Sequence, residues 1–268
     1  MKVIHVSKII SYTNQKGGVG KSTICIQSAF DRAEKGFKTL VIDLDPQGNT
    51  SSRLSGGNEL TGTKAAQLFL SDLDAIEPMS CKNNSKVPQY CRDNIDIIHT
   101  PKNDAELAKI ESQPLTISAN PRKNLQETLQ KYDYVLIDCP PALGNKLVAA
   151  LMLSTHVACP VKLSGFAVDG IEGLLRTIIG VRDRDNSALQ IAGIIINDMD
   201  NSVVQRKALE SLQKAVPHLL LENRIMHRPP LDAATSLGVP VKTLTYGHVA
   251  AKEVDLVLTE LFEERVTG

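Results

Sequence analysis

The 268-residue sequence predicts an α/β fold: a mostly parallel, twisted sheet with helices on both faces. Two observations carry that prediction. Short apolar runs alternate with helical patterns along almost the whole chain, as expected of βαβ units. The apolar runs are nearly continuous rather than alternating, so helices should cover both faces of each strand. No linker, internal repeat or low-complexity tract divides the chain, and a single domain over residues 1–268 is the simpler reading.

Each element follows in order. The opening "MKVIHVSKIISYTNQ" reads as a strand, with Ile9 to Thr13 leading into the glycine-rich "NQKGGVGKST". Lys21 to Lys35 carries Ile24, Ala29, Phe30 and Ala33 at helical spacing and stops at Gly36. "KTLVIDLD" (Lys38 to Asp45) is β-branched and forms the second strand. "NIDIIHT", "YVLIDCP", "THVACPV" and "QIAGIIIN" follow as further strands. Helices are predicted over Ala105 to Glu111, Asn124 to Tyr132, Lys146 to Leu153, Val168 to Val181 and Ser202 to Ala215. Glu77 to Asp93 is polar and rich in turn formers, and is expected as a surface loop or excursion.

Composition narrows the class. Apolar residues make up 42%, enough for a substantial core, and 30 Lys plus Arg balance 30 Asp plus Glu. Zero net charge excludes a grossly basic nucleic-acid binder but not one using a local patch. Cys25, Cys81, Cys91, Cys139 and Cys159 form no C-x-x-C pair and have no histidine at metal-ligand spacing, so they read as free thiols of a reducing cytosol. No apolar run approaches the roughly 20 residues that a membrane span needs. The N-terminus lacks the features of a signal peptide, and a soluble cytoplasmic protein is expected.

The chemistry concentrates in the first loop. A glycine loop between a strand and a helix turns backbone N–H groups toward phosphate oxygens, aided by the helix dipole. Gly17, Gly18 and Gly20 let the backbone wrap closely, with Val19 between them. Lys21 supplies a point charge for outer phosphates, the Ser22 hydroxyl can ligate Mg²⁺, and Thr23 adds a hydroxyl. A glycine-rich turn without chemistry does not explain a full G-K-S-T at this place. Asp43 and Asp45 end the second strand, and Asp138 ends a later one, where an aspartate can hold Mg²⁺ through water. In an open parallel sheet these ends lie on one edge, so Lys21, Ser22, Asp43, Asp45 and Asp138 should converge. A lone aspartate there would read as a cap; three beside a phosphate loop read as a site.

"KGGVGKST" resembles the deviant Walker A motif of the ParA/MinD family of P-loop ATPases. "DLDPQGN" resembles that family's switch I, and "YVLIDCPPALG" its Walker B with switch II. "AGIIINDMDN" and "RIMHRPPLDAATSLGVPV" are similar in layout to its nucleotide-base segments. The resemblance spans roughly Ile9 to Glu264 and points to the DNA-partition branch. It implies ATP and Mg²⁺ as ligands, and a homodimer on ATP binding. Lys16 matches the lysine that reaches phosphates bound by the other subunit, Asp45 the residue that orients the attacking water, and Asp43 a contact behind the metal. Gly17 falls where a larger side chain should block the dimer. Asn197 matches an adenine-contacting position, although a strand-end cap explains it equally well.

The resemblance further implies non-specific DNA binding by the dimer, and a ParB-like centromere-binding partner that stimulates an otherwise weak hydrolysis. From Lys162 to Asp232 nine Lys/Arg meet nine Asp/Glu, so no linear tract is basic. Arg206, Lys207, Arg224 and Arg228 are the DNA candidates, though for any one of them a solvated surface role is the simpler reading. The fourteen residues before Gln15 leave no room for an N-terminal helix-turn-helix, and no operator binding is expected. Membrane cycling is disfavoured because the C-terminal "AKEVDLVLTELFEERVTG" has an acidic polar face, which anionic lipid would repel. A nucleoid-associated cytoplasmic ATPase is expected, with a protein-cargo positioning ATPase or a metabolic enzyme on the same scaffold as alternatives.

Overall fold

The computed structural model describes residues 7–73, 75–164, 167–200 and 202–266; the side chains of 167–169 are outside that description. The run-in to the first strand at residues 1–6 lies outside the described residues, as does position 201 of the "DMDN" segment. The strands are β1 (Lys8–Tyr12), β2 (Thr39–Asp43), β3 (Met79–Ser80), β4 (Ile95–Ile98), β5 (Tyr134–Asp138), β6 (His156–Val161) and β7 (Gln190–Ile196). They lie in the order β3-β4-β2-β5-β1-β6-β7. All pairings are parallel except that of β3 with β4.

Alternation along each strand explains the continuous apolar runs. Ile9, Leu40, Ile42, Val135 and Ile137 point to one face, while Ile10, Val41 and Leu136 point to the other. The first face is covered by α4 (Ala105–Lys109), α5 (Asn120–Leu129), α6 (Asn145–Leu153), α7 (Ala167–Arg184) and α8 (Val203–Ala215), through Leu107, Leu125, Leu147, Leu174 and Leu209. The second face packs α1 (Lys21–Glu34), α2 (Asn49–Leu54), α3 (Gln89–Arg92), α9 (Pro229–Leu237) and α10 (His248–Thr259), through Ile24, Leu54, Cys91, Leu231 and Val257. Two buried layers around one sheet are what the sequence pattern requires.

Two departures have local causes. Glu77 to Asp93 is more than a loop: it contributes the two-residue edge strand β3 and buries Met79, Cys81, Val87 and Cys91. Only four of its positions are apolar and buried, too few to register as a periodic pattern. The C-terminal segment continues α10 through a wider turn at Glu260–Arg265, with Leu261 and Phe262 buried. Val254, Val257 and Leu258 of α10 are buried with them, so the apolar face of this segment packs on the body of the protein. No helix among the described residues is long and apolar enough to cross a membrane.

β1 sits between β5 and β6, and the chain leaves it for β2 on one side and later for β6 on the other. That reversal opens a crevice at the carboxyl ends of the strands. The glycine loop lies in it, tied to β6 by Asn14 Nδ2, which donates to the Pro160 carbonyl at 2.8 Å.

Candidate nucleotide-binding site

The loop from β1 enters α1 through Gly20, held at φ 97° with no side chain capping the helix. The first intrahelical bond runs from the Ile24 N–H to the Gly20 carbonyl at 2.9 Å. The N–H groups of Lys21, Ser22 and Thr23 thus have no helical acceptor, and these three residues line the cleft. A fourteen-residue helix adds its dipole to them. Gly18, at φ 69°, and Gly20 need their conformations; Gly17 does not, and a Cβ there would meet nothing within 4 Å. A Cβ on Gly20 would instead come within 2.1 Å of the Asn197 amide nitrogen.

Lys21 is buried, and its Nζ donates to the Lys16 carbonyl at 3.1 Å. Burial holds its ammonium below the usual lysine range, opposed by the carboxylates of Asp138 and Asp45. Lys16 does something different. Its side chain does not line the cleft; Nζ donates to Ser164 Oγ at 3.2 Å, in the stretch between β6 and α7. The two lysines of the loop point to separate places, one into the site of its own chain and one beside it.

The carboxylates converge as expected, with a division of labour that the sequence does not reveal. Parallel register sets Asp43 next to Asp138, and both are fully buried. Asp43 does not line the cleft: its Oδ2 accepts from the Ser51 N–H at 2.8 Å and the Ser51 hydroxyl at 2.7 Å, and its Oδ1 accepts from the Asp45 N–H at 3.2 Å. It braces the loop that carries Asp45, and Asp45 itself lines the cleft, with Oδ1 accepting from the Gln47 N–H at 2.9 Å. Asp138 Oδ2 accepts from the Thr50 hydroxyl at 2.6 Å, while Oδ1 is buried without a hydrogen-bond partner among the described residues. Burial pushes the Asp138 carboxyl up to about 6, against the Thr50 and Ser22 hydroxyls, which favour its charged form. Burial beside Asp138 raises Asp43 well above the carboxylate range.

An orphaned buried oxygen beside a serine hydroxyl and a second acid fits a hard divalent cation. Ser22 and Asp138 would hold Mg²⁺ or its waters, with Asp43 behind them.

The base side of the cleft comes from later segments. Asn197, just beyond β7, donates from Nδ2 to the Val19 carbonyl at 3.0 Å and keeps a buried Oδ1 without a partner among the described residues. Residues 225–227 run beside it as an irregular strand, with N–H bonds from Ile225 to Ile196 and from His227 to Met199. This brings Met226, Arg228, Leu231 and Asp232 to the cleft. Arg228 donates from Nη2 to Glu253 of α10 at 2.6 Å. Arg228 therefore stands in the cleft wall, while Arg206 and Lys207 are exposed on α8 and Arg224 is exposed beside Met199. Asp198, at φ 58°, bridges Lys162 and His227. Burial works against its charge, and those two hydrogen bonds outweigh it and keep the carboxyl below the usual range. Asn49, Pro141, Asp198, Met226, Leu231 and Asp232 join the site without having been singled out in the sequence. All six lie inside motifs quoted for the family resemblance: Asn49 in "DLDPQGN", Pro141 in "YVLIDCPPALG", Asp198 in "AGIIINDMDN", and Met226, Leu231 and Asp232 in "RIMHRPPLDAATSLGVPV".

The AAA domain family model matches residues 7–191. Soj of Bacillus subtilis, a sporulation initiation inhibitor protein, is 32% identical over 239 residues, covering 88% of this chain and 90% of its own. The chain belongs to the ParA/MinD family of P-loop ATPases, in its partition branch. Another relative, the chromosome partitioning protein ParA of Caulobacter vibrioides, is 32% identical over 242 residues, 87% of this chain and 86% of that one. Among solved structures, apo McdA of Cyanothece superposes with a TM-score of 0.78 at 20% identity, over 96% of this chain and all of that one, which shows a shared fold.

Proposed function

We propose that this partition ATPase binds ATP with Mg²⁺, pairs face to face with a second copy, and in that form holds DNA without sequence preference. A ParB-like centromere-binding partner then stimulates hydrolysis and releases the pair, giving a nucleoid-associated cytoplasmic cycle. The observation that carries the reading is the placement of Lys16 in the loop yet outside its own cleft. Two triphosphates brought face to face repel, and a cation given by each chain to the other's nucleotide offsets that repulsion. Nucleotide state and pairing then become one variable.

Within each site, the N–H groups of residues 17–23 cradle the phosphates and Lys21 neutralises the outer ones. Mg²⁺ would supply charge neutralisation across the phosphates, held through Ser22 and Asp138. Asp45 orients the attacking water, and its turn toward the Gln47 N–H is held in place by Asp43. Hydrolysis alone is weak, and the partner's inserted cationic segment stabilises the transition state as an arginine finger does. Arg206, Lys207 and Arg224, exposed outside the cleft, are the phosphate contacts proposed for DNA, joined by Arg228 where its pairing with Glu253 permits.

A gel-shift assay at low salt with ATP, ADP or no nucleotide tests the cycle. Retardation should require ATP, and Lys21→Ala should bind neither ATP nor DNA. Equal retardation with and without nucleotide, or none with ATP, would overturn the reading.

A further inference from the structure

The two loops that border the cleft, Asp43 to Asn49 and Cys139 to Gly144, are joined through a third stretch that lines no part of it. This stretch, residues 104–113, holds α4 and the turn after it. At one end the Asp104 N–H donates to the Pro46 carbonyl at 2.8 Å, one residue from Asp45. The preceding Thr100 hydroxyl donates to the Asp43 carbonyl at 2.5 Å. Gly48 packs so closely there that a Cβ would lie 2.5 Å from the Thr100 oxygen.

At the other end, Glu111 grips the start of α6. Its Oε1 pairs with Lys146 Nζ at 2.7 Å and its Oε2 accepts from the Asn145 N–H at 2.7 Å. Asn145 Nδ2 returns bonds to the Ile110 and Gln113 carbonyls, each at 2.8 Å. Lys146 Nζ also reaches the Leu107 carbonyl at 3.3 Å. A Cβ on Gly144 would meet Glu111 Oε2 at 1.8 Å, so a larger residue there would have to displace the Glu111 carboxylate from its grip. Between the ends Leu107 is fully buried and Ile110 nearly so, which keeps the stretch from sliding.

The Lys146 side chain is 2% exposed. A buried ammonium and its partner are a poor source of stability, since apolar residues of like volume often serve as well or better. What the pair provides is a directional link between two elements. We propose that Asp104–Gln113 is a strut coupling the two loops, and that Glu111 and Lys146 are positioning residues for hydrolysis. Displacement of Pro46 with nucleotide state is carried to Gly144–Lys146, and the coupling acts equally in reverse. The inference rests on the reading that this site hydrolyses ATP.

The test replaces the joint by an apolar pair, Glu111→Leu with Lys146→Met, and compares thermal midpoint, KM and kcat for Mg²⁺–ATP. The strut predicts a folded protein with KM within about twofold and kcat lower by about tenfold or more. A folded double variant with kcat within about twofold of the parent would make the pair merely structural and overturn the proposal. Amide exchange of the unmodified protein gives a second reading, with ATP and with ADP. Protection at Asp104 and Asn145 should change together with that of residues 43–49; a change confined to 43–49 would overturn the coupling. Absence of turnover in the unmodified protein would sink the hydrolysis reading alone, and the exchange comparison would still decide the strut.

Discussion

Gly17 and Gly20 stand three residues apart and do unrelated work. Gly20 has a left-handed backbone and Asn197 against its open face, so Gly20→Ala should lose roughly 1 kcal/mol to strain alone and distort the loop. Gly17 has neither constraint within its own chain. Gly17→Val should keep stability within about 0.5 kcal/mol and retain ATP binding, yet fail to pair. Light scattering with ATP checks this, and a normal dimer of the variant would contradict it. His99 carries a different signature: it is buried, and burial lowers its imidazole below the usual histidine range despite a contact with the Gly62 backbone that favours the charged form. Its folded value lies below the unfolded one, so the native state binds fewer protons and stability is lost as pH falls through about 6.5. His99→Leu should remove up to about 1.4 kcal/mol per pH unit from the slope between about pH 7 and pH 5, read by urea denaturation. Identical slopes would contradict it. At this scale the sequence showed the loop residues and the three carboxylates, because their chemistry dictates their spacing. It did not show Ser51 bracing Asp43, Thr50 on Asp138, or Glu111 meeting Lys146, since hydroxyls are common and 35 positions separate the last pair.

The elements were legible where burial was two-sided. The parallel strands of the sheet all follow apolar runs, and α1 begins and ends at the glycines that predict it. The antiparallel edge strand β3 has two residues, too short for any periodicity, and α9, for which no helix is predicted, opens on Pro229–Pro230 at its first helical positions. The C-terminal segment is fixed by an acid that the pattern marked only as part of a polar face. Glu260 is buried and accepts from the Glu222 N–H at 2.7 Å, and from the Asn223 N–H and Nδ2 at 2.9 Å each. Glu260→Ala would strand those donors and should cost roughly 2–4 kcal/mol. A loss under about 0.5 kcal/mol in chemical denaturation would show the contact to be incidental. The same segment joins Glu253 to Arg228, so the C-terminal helix also buttresses the cleft wall.

For the whole molecule, a neutral chain must assemble any cationic surface from scattered residues, and the proposed pairing would do so by placing two copies of each side by side. Lys16 lies beside the phosphate cleft rather than in it, which is where the proposed pairing would place a second chain. The decisive measurement is the solution mass of the Asp45→Ala protein, slowed in hydrolysis, with Mg²⁺–ATP, against the same protein also carrying Lys16→Ala. The first should be a dimer with ATP and a monomer without it, and the second a monomer that still binds ATP. A dimer that persists without Lys16, or a monomer in the presence of ATP when Lys16 is intact, would contradict the central claim.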